Sequence, residues 1–294
     1  MITSTSNPRI QSIRNLMKKA RERNARGLFL IEGAKMFSEV PRALLGEVFV
    51  SESFLKRPGA AELLKDVPFE TVSDRVFESM SDTESPQGIL CTVKQSAWRP
   101  EDLLGKRTGK KMPAGTVGGG DIKETALRQE RTWPGRPGSG STVPMVVVLE
   151  NLQDPGNLGT IVRTAEGAGV TGILLGPGCV DIYNPKVIRS TMGSVLRVPF
   201  CYTDDLRGTL RTWKTQGITL SAAYLKGDHV YTREDYTKPC AFLIGNESKG
   251  LTDETAALAD VCVQIPMLGK VESLNASMAA ALLMYEGLRQ RTQS

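Results

Sequence analysis

The sequence predicts an α/β protein, because short apolar runs alternate with helical segments along most of the chain. In the C-terminal half these runs are rich in Val, Ile and Leu and lack polar alternation; they occupy residues 146–150, 172–176, 198–200, 218–224, 241–245 and 261–266. Such runs are typical of parallel strands that are covered on both faces. Ligands of parallel sheets bind at the carboxyl ends of the strands. We therefore expect a parallel sheet in residues 144–294 that carries a site at this edge.

The N-terminal third predicts a second, smaller α/β unit over residues 1–95. Its expected elements are a helix near 8–25, a strand at 29–33, a helix at 34–45, a strand at 47–51, a helix near 59–65 and a strand at 88–93. A chain of 294 residues has the length of two ordinary domains.

Residues 96–143 predict a flexible linker between the two units. The segment is rich in Gly and Pro and has almost no apolar periodicity. Its GTVGGGD run at 115–121 resembles a phosphate-binding loop only superficially, because no strand precedes it and no apolar helix follows it.

Composition excludes several classes of protein. No apolar run approaches the roughly 18 residues of a membrane span, and the first residues lack the apolar core of a signal peptide, so we expect a cytoplasmic protein. The five cysteines are widely separated, which favours free thiols. The sequence has a single histidine, His229, so a His/Cys zinc site and a Ser-His-Asp triad both lack residues, and no metal is expected.

The net charge of +5 is unevenly distributed, and the N-terminus is the most basic part of the chain. Within the first 26 residues seven basic side chains stand against the single acidic Glu22: Arg9, Arg14, Lys18, Lys19, Arg21, Arg23 and Arg26. A solvated helix face is the ordinary explanation of such a run. The imbalance also fits a surface that binds nucleic-acid phosphates, and we select Arg9, Arg14, Lys18, Lys19, Arg23 and Arg26 as RNA-binding candidates.

Three loops after predicted strands carry unusual polar residues. In 151–170 we expect Asn157 to cap a helix that is buried along Leu158, Ile161, Val162 and Ala165. In 243–251 a strand runs directly into glycine, which lets backbone approach a ligand closely.

The third loop leads into the last helix. Its cluster Ser273–Ser277 contains more polar groups than a helix cap needs, which suggests a ligand. The helix itself is expected to be buried along Met278, Ala281, Leu282 and Tyr285.

In order and spacing, these loops resemble the three motifs of the SpoU (TrmH-like) class of SPOUT RNA ribose 2′-O-methyltransferases. The matching stretches are DPGNLGTIVRTA (154–165), LIGNESKGL (243–251) and IPMLGKVESLNASMAAA (265–281). Residues 185–200 are similar to the substrate-side helix of that class. Residues 4–33 and 81–90 resemble the L30e-like RNA-binding domain of its ribosomal-RNA branch.

The resemblance implies a fold, a cofactor and partners. It implies a deep trefoil knot in the C-terminal domain, a homodimer formed through that domain, and large-subunit (23S-type) ribosomal RNA as the partner. S-adenosylmethionine is expected to bind in the knot, at Gly245, Ile265 and Leu274, with Met267, Ala222, Ala223 and Asn246 as additions. Arg163 is expected at the centre of catalysis, with Asn157, Glu247, Ser273 and Asn275 around it, and Arg189, Ser190 and Ser194 on the RNA side.

The chemistry limits what Arg163 can do. A ribose 2′-hydroxyl is a poor nucleophile at neutral pH, so positioning and charge stabilisation must dominate. A guanidinium does not normally give up its proton in proteins, which argues against Arg163 as a literal general base. We favour Arg163 holding an RNA phosphate and stabilising the developing alkoxide. Glu247 then orients Arg163 or Asn157, or complements the sulfonium.

Two features leave alternatives open. Asp154 stands where this class commonly has Asn, which adds a negative charge near an RNA phosphate. A family member that only docks on ribosomal RNA, and an enzyme that methylates tRNA, both remain alternatives. A nucleotide-dependent doubly wound enzyme is disfavoured, because no G-x-G-x-x-G follows a strand.

Overall fold

The computed structural model describes residues 1–105, 143–225 and 227–293. Most of the predicted linker lies outside these described residues. Its first part is ordered as a 3-10 helix, Pro100–Leu104, in which Leu103 and Leu104 are buried. Leu103 lies so close to Gly172 that a Cβ at residue 172 would meet the Leu103 Cβ at 2.7 Å. The segment that leaves the N-terminal unit therefore packs on the C-terminal sheet.

The N-terminal unit is built on a mixed sheet. Its strands are β1 (Leu28–Glu32), β2 (Leu45–Ser51), β3 (Glu70–Val72) and β4 (Ile89–Lys94), in the order β1-β4-β2-β3. Strand β4 pairs antiparallel with β1 and β2, and β2 pairs parallel with β3. The three predicted strands correspond to β1, β2 and β4. The short β3 was not predicted, since three residues carry too little periodicity to be recognised.

Helices cover this sheet: α1 (Pro8–Lys18), α2 (Ala20–Arg26), α3 (Ala34–Glu39), α4 (Glu52–Leu55), α5 (Ala60–Leu63) and α6 (Asp74–Met80). The single helix expected near 8–25 is divided at Lys19, whose backbone is extended. Asn7 caps α1 by accepting a hydrogen bond from the Arg9 N–H, and Pro8 occupies the first turn, where no N–H is needed.

The C-terminal unit contains the expected parallel sheet. Its strands are β5 (Met145–Leu149), β6 (Gly172–Leu175), β7 (Phe200–Tyr202), β8 (Thr219–Ala223), β9 (His229–Val230), β10 (Cys240–Ile244) and β11 (Val261–Gln264). Their order in the described residues is β7-β6-β5-β10-β8-β11-β9, and every neighbouring pair is parallel. The six predicted strands and the α/β fold class are confirmed.

Helices lie on both faces of this sheet: α7 (Pro155–Gly167), α8 (Pro185–Thr191), α9 (Leu206–Thr215), α10 (Asp253–Ala256) and α11 (Ala276–Gln293). Strands β5 and β10 are buried throughout, and alternate residues point into two separate apolar clusters. Val147 of β5 belongs to the cluster that includes α7 and α11, whereas Val148 belongs to the cluster under α9. This two-sided burial explains the absence of polar alternation in the sequence.

The last helix turns a different face to the core than expected. Met278 and Tyr285, which were predicted to be buried, are about half exposed, whereas Ala280, Leu283 and Met284 are buried. Apolar residues surround most of this helix, so the 3.6-residue period could not show which side meets the sheet. In the described residues no helix has the length and apolarity that crossing a membrane requires.

The two units share one apolar core. Phe29 of β1 lies with its ring centroid 4.6 Å from that of Tyr183, and Tyr183 packs edge-on against Phe200 of β7. Beside these rings the Arg23 guanidinium donates to the Asp181 carboxylate at 2.5 Å. The N-terminal unit is therefore packed directly against the loop that follows β6.

Candidate active site at the carboxyl edge of the sheet

Four neighbouring strands end together at one edge of the C-terminal sheet. Leu149 of β5 pairs with Ile244 of β10, Leu243 of β10 with Ala222 of β8, and Ala222 with Cys262 of β11. Because parallel strands in register end at the same level, the loops that follow β5, β8, β10 and β11 meet there. The three sequence motifs follow β5, β10 and β11, so the fold brings them to this edge.

The first motif forms the start of α7. Asp154, not Asn157, is the N-cap: its Oδ1 accepts a hydrogen bond from the Asn157 N–H at 2.7 Å, and Pro155 begins the helix. The prediction for Asn157 was wrong because Asp-Pro is itself a strong helix-start signal. The Asp side chain caps the helix by accepting a hydrogen bond, and the proline that follows has no N–H that would need a partner. Capping by Asp154 leaves the buried Asn157 side chain free for another partner.

That partner is Glu247 in the loop after β10. Its Oε1 accepts hydrogen bonds from the Asn157 side-chain amide at 3.1 Å and from the Asp154 N–H at 3.0 Å. Its Oε2 accepts from the Gln153 N–H at 3.4 Å and from the Asn246 side chain at 3.3 Å. One carboxylate thus fastens the first motif to the second. The expectation that Glu247 orients Asn157 agrees with this geometry.

These hydrogen bonds keep Glu247 ionised. Burial raises the pKa of its carboxyl, but the donors from Asn157, Asp154 and Gln153 outweigh burial, and the pKa is lowered overall. A carboxyl group whose pKa is lower in the folded state than in the unfolded state stabilises the fold at any pH above its unfolded-state pKa. This stabilisation is lost as the pH falls through the folded-state pKa.

We expect Glu247→Gln to lower the thermal melting temperature at pH 7, and the difference from the wild type to shrink below about pH 4. A glutamine side chain keeps one oxygen, but its NH2 group would face either the Asp154 or the Gln153 N–H, which would lose its acceptor. Thermal melts from pH 7 to pH 3.5 measure this. Glu78→Gln, on the exposed side of α6, is the control and should melt like the wild type at every pH. An unchanged melting temperature of Glu247→Gln at pH 7 would contradict the role of this carboxylate.

The second motif is a tight turn that only glycine allows at its first position. Asn246 and Gly250 exchange two backbone hydrogen bonds, of 3.0 and 2.9 Å, across the turn. A Cβ on Gly245 would lie 2.1 Å from the Gly250 carbonyl carbon and from the Leu251 nitrogen. Both are backbone atoms, so the turn could not yield without opening.

Asn246, predicted to bind cofactor, is occupied in holding this turn. Its Nδ2 donates to the Asn151 carbonyl at 2.9 Å, and its Oδ1 accepts from the Ser248 N–H at 2.9 Å and the Lys249 N–H at 3.1 Å. Because both polar atoms have partners, the geometry favours a positioning role for the side chain.

The third motif follows β11 and has no regular secondary structure before α11 begins. Ile265, Met267 and Leu274 are half-buried, and Ser273 is exposed. Asn275 begins the last helix: its Oδ1 accepts from the Ser277 N–H at 2.8 Å and from the Ser277 hydroxyl at 2.6 Å. In this structure Asn275 therefore serves as a cap, while Ser273 remains accessible beside it.

Arg163 lies on the exposed side of α7, two turns after Asp154. Among the residues that the structure describes, no hydrogen bond or ion pair engages its side chain. Glu166, one helical turn after Arg163, pairs with Arg197, which also contacts Glu39 at 2.5 Å. The structure does not bring Arg163 and Glu247 into contact. It leaves a cation available on the helix that Glu247 fastens.

A cavity of about 370 Å³ opens between the start of α7 and α8. It is lined by Asp154, Pro155, Gly156, Lys186, Arg189 and Ser190. Arg189 reaches Asp82 of the N-terminal unit at 3.4 Å, and Ser190 donates to the Lys186 carbonyl. Sequence reasoning overlooked Lys186, although its spacing of three from Arg189 places both on one helix face.

Two predicted RNA-binding residues are buried. Ser194 lies within the core after α8, because the chain turns inward there to bury Val195. Arg23 is 3% exposed; besides Asp181, it donates to the carbonyls of Leu16 and Met17. Both are corrected from surface contacts to structural residues, since their atoms face protein rather than solvent.

The rest of the basic N-terminus is divided between pairing and exposure. Arg9 forms ion pairs with Glu47 and Glu70, both at 2.9 Å, and these contacts raise the pKa of its guanidinium. Arg26 donates to the Ser12 hydroxyl, and Arg14 is half-buried. Lys18 and Lys19 are exposed. Within the described ranges no group of His, Cys, Asp or Glu is arranged to hold a metal ion.

The parallel α/β sheet, whose three motifs follow neighbouring strands, and the smaller α/β unit packed beside it each match a known family. The chain belongs to the SpoU rRNA methylase family: that family model matches residues 144–285, and a model of the MRM3-like substrate binding domain matches residues 7–91. The family prediction is confirmed, and with it the enzyme class, an RNA methyltransferase.

Individual relatives span the whole chain. It is 32% identical to an uncharacterized tRNA/rRNA methyltransferase of Synechocystis, over 99% of this chain and 94% of that protein. It is 26% identical to the 23S rRNA (guanosine(2553)-2′-O)-methyltransferase RlmP of Bacillus subtilis, over 97% of each. The SpoU methyltransferase AviRb of Streptomyces viridochromogenes, solved in complex with AdoMet, superimposes with a TM-score of 0.77 at 25% identity, covering 97% of this chain and 98% of AviRb.

Proposed function

We propose that the chain transfers the methyl group of S-adenosylmethionine to a ribose 2′-hydroxyl of large-subunit ribosomal RNA. The observation that carries the proposal is the Glu247 carboxylate, which joins the first two motifs at the start of the helix that carries Arg163. Family membership gives the reaction class, and RlmP, a relative over 97% of its length, is named for a 23S rRNA 2′-O-methylation.

The residues at the carboxyl edge fit the cofactor. Gly245 lets backbone pass where a Cβ would collide, and half-buried Ile265, Met267 and Leu274 offer an apolar rim suited to an adenine ring. Ala222 and Ala223 end the neighbouring strand β8, and we assign the backbone there to the cofactor as well. Bound there, S-adenosylmethionine supplies an electrophilic methyl group. Asn246 supports the site by holding the turn, as its hydrogen bonds indicate.

Arg163 stabilises the negative charge that develops during methyl transfer. Its guanidinium stays protonated, holds a phosphate next to the target ribose, and offsets the negative charge that develops on the 2′-oxygen. Asn157 and Glu247 fix the helix that carries Arg163. Ser273 and Asn275 form the opposite wall, where Ser273 is accessible to the ribose.

RNA binds across both units in this proposal. The cavity between α7 and α8 presents Lys186, Arg189 and Ser190, which suits a backbone phosphate beside the reaction centre. On the N-terminal unit, Lys18 and Lys19 are exposed and available to other phosphates of the same RNA. We assign residues 1–95 to RNA binding and residues 144–294 to methyl transfer, with 96–143 joining them.

We further propose a homodimer formed through the knotted C-terminal domain. The half-exposed side of α11 carries Met278 and Tyr285, and the loop before it exposes Leu268 and Val271. Such an apolar surface fits a self-complementary two-fold contact. Sedimentation should show a dimer at micromolar concentration, and a monomer there would contradict this part of the proposal. We place the protein in the cytoplasm, because all five cysteines are unpaired.

Methylation of unmodified transcripts tests the choice of RNA. With labelled S-adenosylmethionine, we expect label in large-subunit ribosomal RNA and none in a tRNA transcript. Label in tRNA alone would favour the tRNA alternative. Binding of both S-adenosylmethionine and ribosomal RNA without transfer would instead favour a family member that only docks.

A further inference from the structure

A second cavity, of about 440 Å³, lies where the two units meet. The N-terminal side contributes Asn24, Gln95, Ser96 and Trp98, and the C-terminal side contributes residues of the loop after β6 and of β7, among them Asp181 and Tyr202. None of these residues takes part in the site at the Glu247 carboxylate. The cavity is therefore a separate feature that needs its own explanation.

Two aromatic side chains at this cavity are open to solvent. Trp98 is 36% exposed and Tyr202 is 45% exposed. The Tyr202 hydroxyl is fixed: it donates to the Val180 carbonyl and accepts from the Ile182 N–H, both at 2.8 Å. Its ring is thus held in place while remaining accessible. Exposed, preorganised rings of this kind are platforms on which unpaired bases stack.

The polar residues at the rim also suit a base. Asn24 is exposed, and an amide side chain can both donate to and accept from the edge of a base. Asp181 adds little repulsion, because Arg23 pairs with it. Arg21, one helical turn before Asn24, and Arg99, next to Trp98, are exposed and place positive charge beside the cavity, where the phosphates of a bound strand would pass.

Hydrogen bonds connect the cavity to the segment that Glu247 holds. Two hydrogen bonds join the loop after β6 to the loop after β5. The Val180 N–H donates to the Leu152 carbonyl at 2.8 Å, and the Asn151 N–H donates to the Pro177 carbonyl at 3.1 Å. Gln153 and Asp154 follow directly and are held by Glu247. The loop that lines the cavity is therefore hydrogen-bonded to the segment that Glu247 holds.

We propose that this interdomain cavity binds an unpaired nucleobase of the RNA substrate, stacked on Trp98 and Tyr202 and held at its edge by Asn24. This proposal rests on the proposed function for the identity of the RNA. It assigns the junction between the two units a part in selecting the substrate, distinct from methyl transfer.

Binding of a large-subunit ribosomal RNA transcript to Trp98 variants of the full-length protein tests the proposal. We expect Trp98→Ala to raise the dissociation constant about 10-fold, as loss of one stacked base does, and Trp98→Phe to stay near the wild type, because a ring remains. Phe69→Ala removes an aromatic ring of similar exposure, 42%, outside the cavity and should bind like the wild type.

Wild-type affinity in Trp98→Ala would overturn the cavity proposal, as would equal weakening in Trp98→Phe and Trp98→Ala. Methylation is followed separately in the same samples. A wild type that binds RNA but transfers no methyl group would contradict the proposed function, while the binding comparison would still decide the role of the cavity.

Discussion

Replacing Gly245 by alanine is expected to reduce methyl transfer by about 100-fold or more, because an added Cβ forces the turn of the second motif to open. The Cβ would lie 2.1 Å from two backbone atoms, which no side-chain rearrangement can relieve. Opening the turn displaces Asn246 and Glu247, and displacements of about 1 Å near a reaction centre cost on this order in rate. Overpacking of this kind also destabilises a fold by about 1–3 kcal/mol.

Gly250→Ala is the matched control for this prediction. Gly250 lies in the same turn with a φ of +70°, but a Cβ there meets nothing within 4 Å. Gly250→Ala should therefore lower the stability of the fold by only about 1–2 kcal/mol, which is what a left-handed backbone costs a residue with a Cβ. Isothermal titration with S-adenosylmethionine and single-turnover methylation should therefore rank Gly245→Ala well below Gly250→Ala. If both variants lost the same cofactor affinity and methylation rate, then backbone strain, and not the close approach of backbone atoms, would explain why residue 245 is glycine.

Arg163→Ala is expected to lower the rate of methyl transfer about 100- to 1000-fold while S-adenosylmethionine still binds. Loss of a preorganised group that stabilises developing negative charge has an effect of this size. The substitution should leave the fold intact, because Arg163 is exposed and changes at such surface positions stay within about 0.5 kcal/mol. Rates at saturating RNA, together with cofactor titration, separate the two effects.

Arg163→Lys tests whether charge alone suffices, and we expect it to recover little activity, since lysine lacks the planar fork that grips a phosphate. Arg211→Ala removes an exposed cation on α9 and should behave like the wild type. Normal methylation by Arg163→Ala would show that the catalytic assignment is wrong.

The strands were far easier to predict from the sequence than the helix caps or the buried faces of the helices. The runs that became β5 and β10 were recognisable because both sides of each strand are buried, which leaves an uninterrupted apolar stretch. The face of α11 was not recognisable. Its apolar residues surround the helix, and only the sheet decides that Ala280 and Leu283, rather than Met278 and Tyr285, point inward.

The candidate site shows the same division. The motifs identified Glu247 and Asn157, but their contact joins residues 90 positions apart and depends on β5 and β10 being neighbours in the sheet. A count of charges likewise could not separate Arg23, which is buried against Asp181, from Lys18 and Lys19 on the surface. Composition predicts that a surface is basic, whereas packing decides which cations remain on it.

We propose that the methyl group goes to a ribose 2′-oxygen of large-subunit ribosomal RNA. Alkaline hydrolysis distinguishes this product from a methylated base, because strand cleavage requires the neighbouring 2′-hydroxyl to be free. The transcript is methylated with labelled S-adenosylmethionine and then digested with alkali. We expect the label in alkali-resistant dinucleotides, and about 100- to 1000-fold less of it in the Arg163→Ala reaction stopped at the same early time. Label in single nucleotides would place the methyl group on a base and rule out transfer to the ribose.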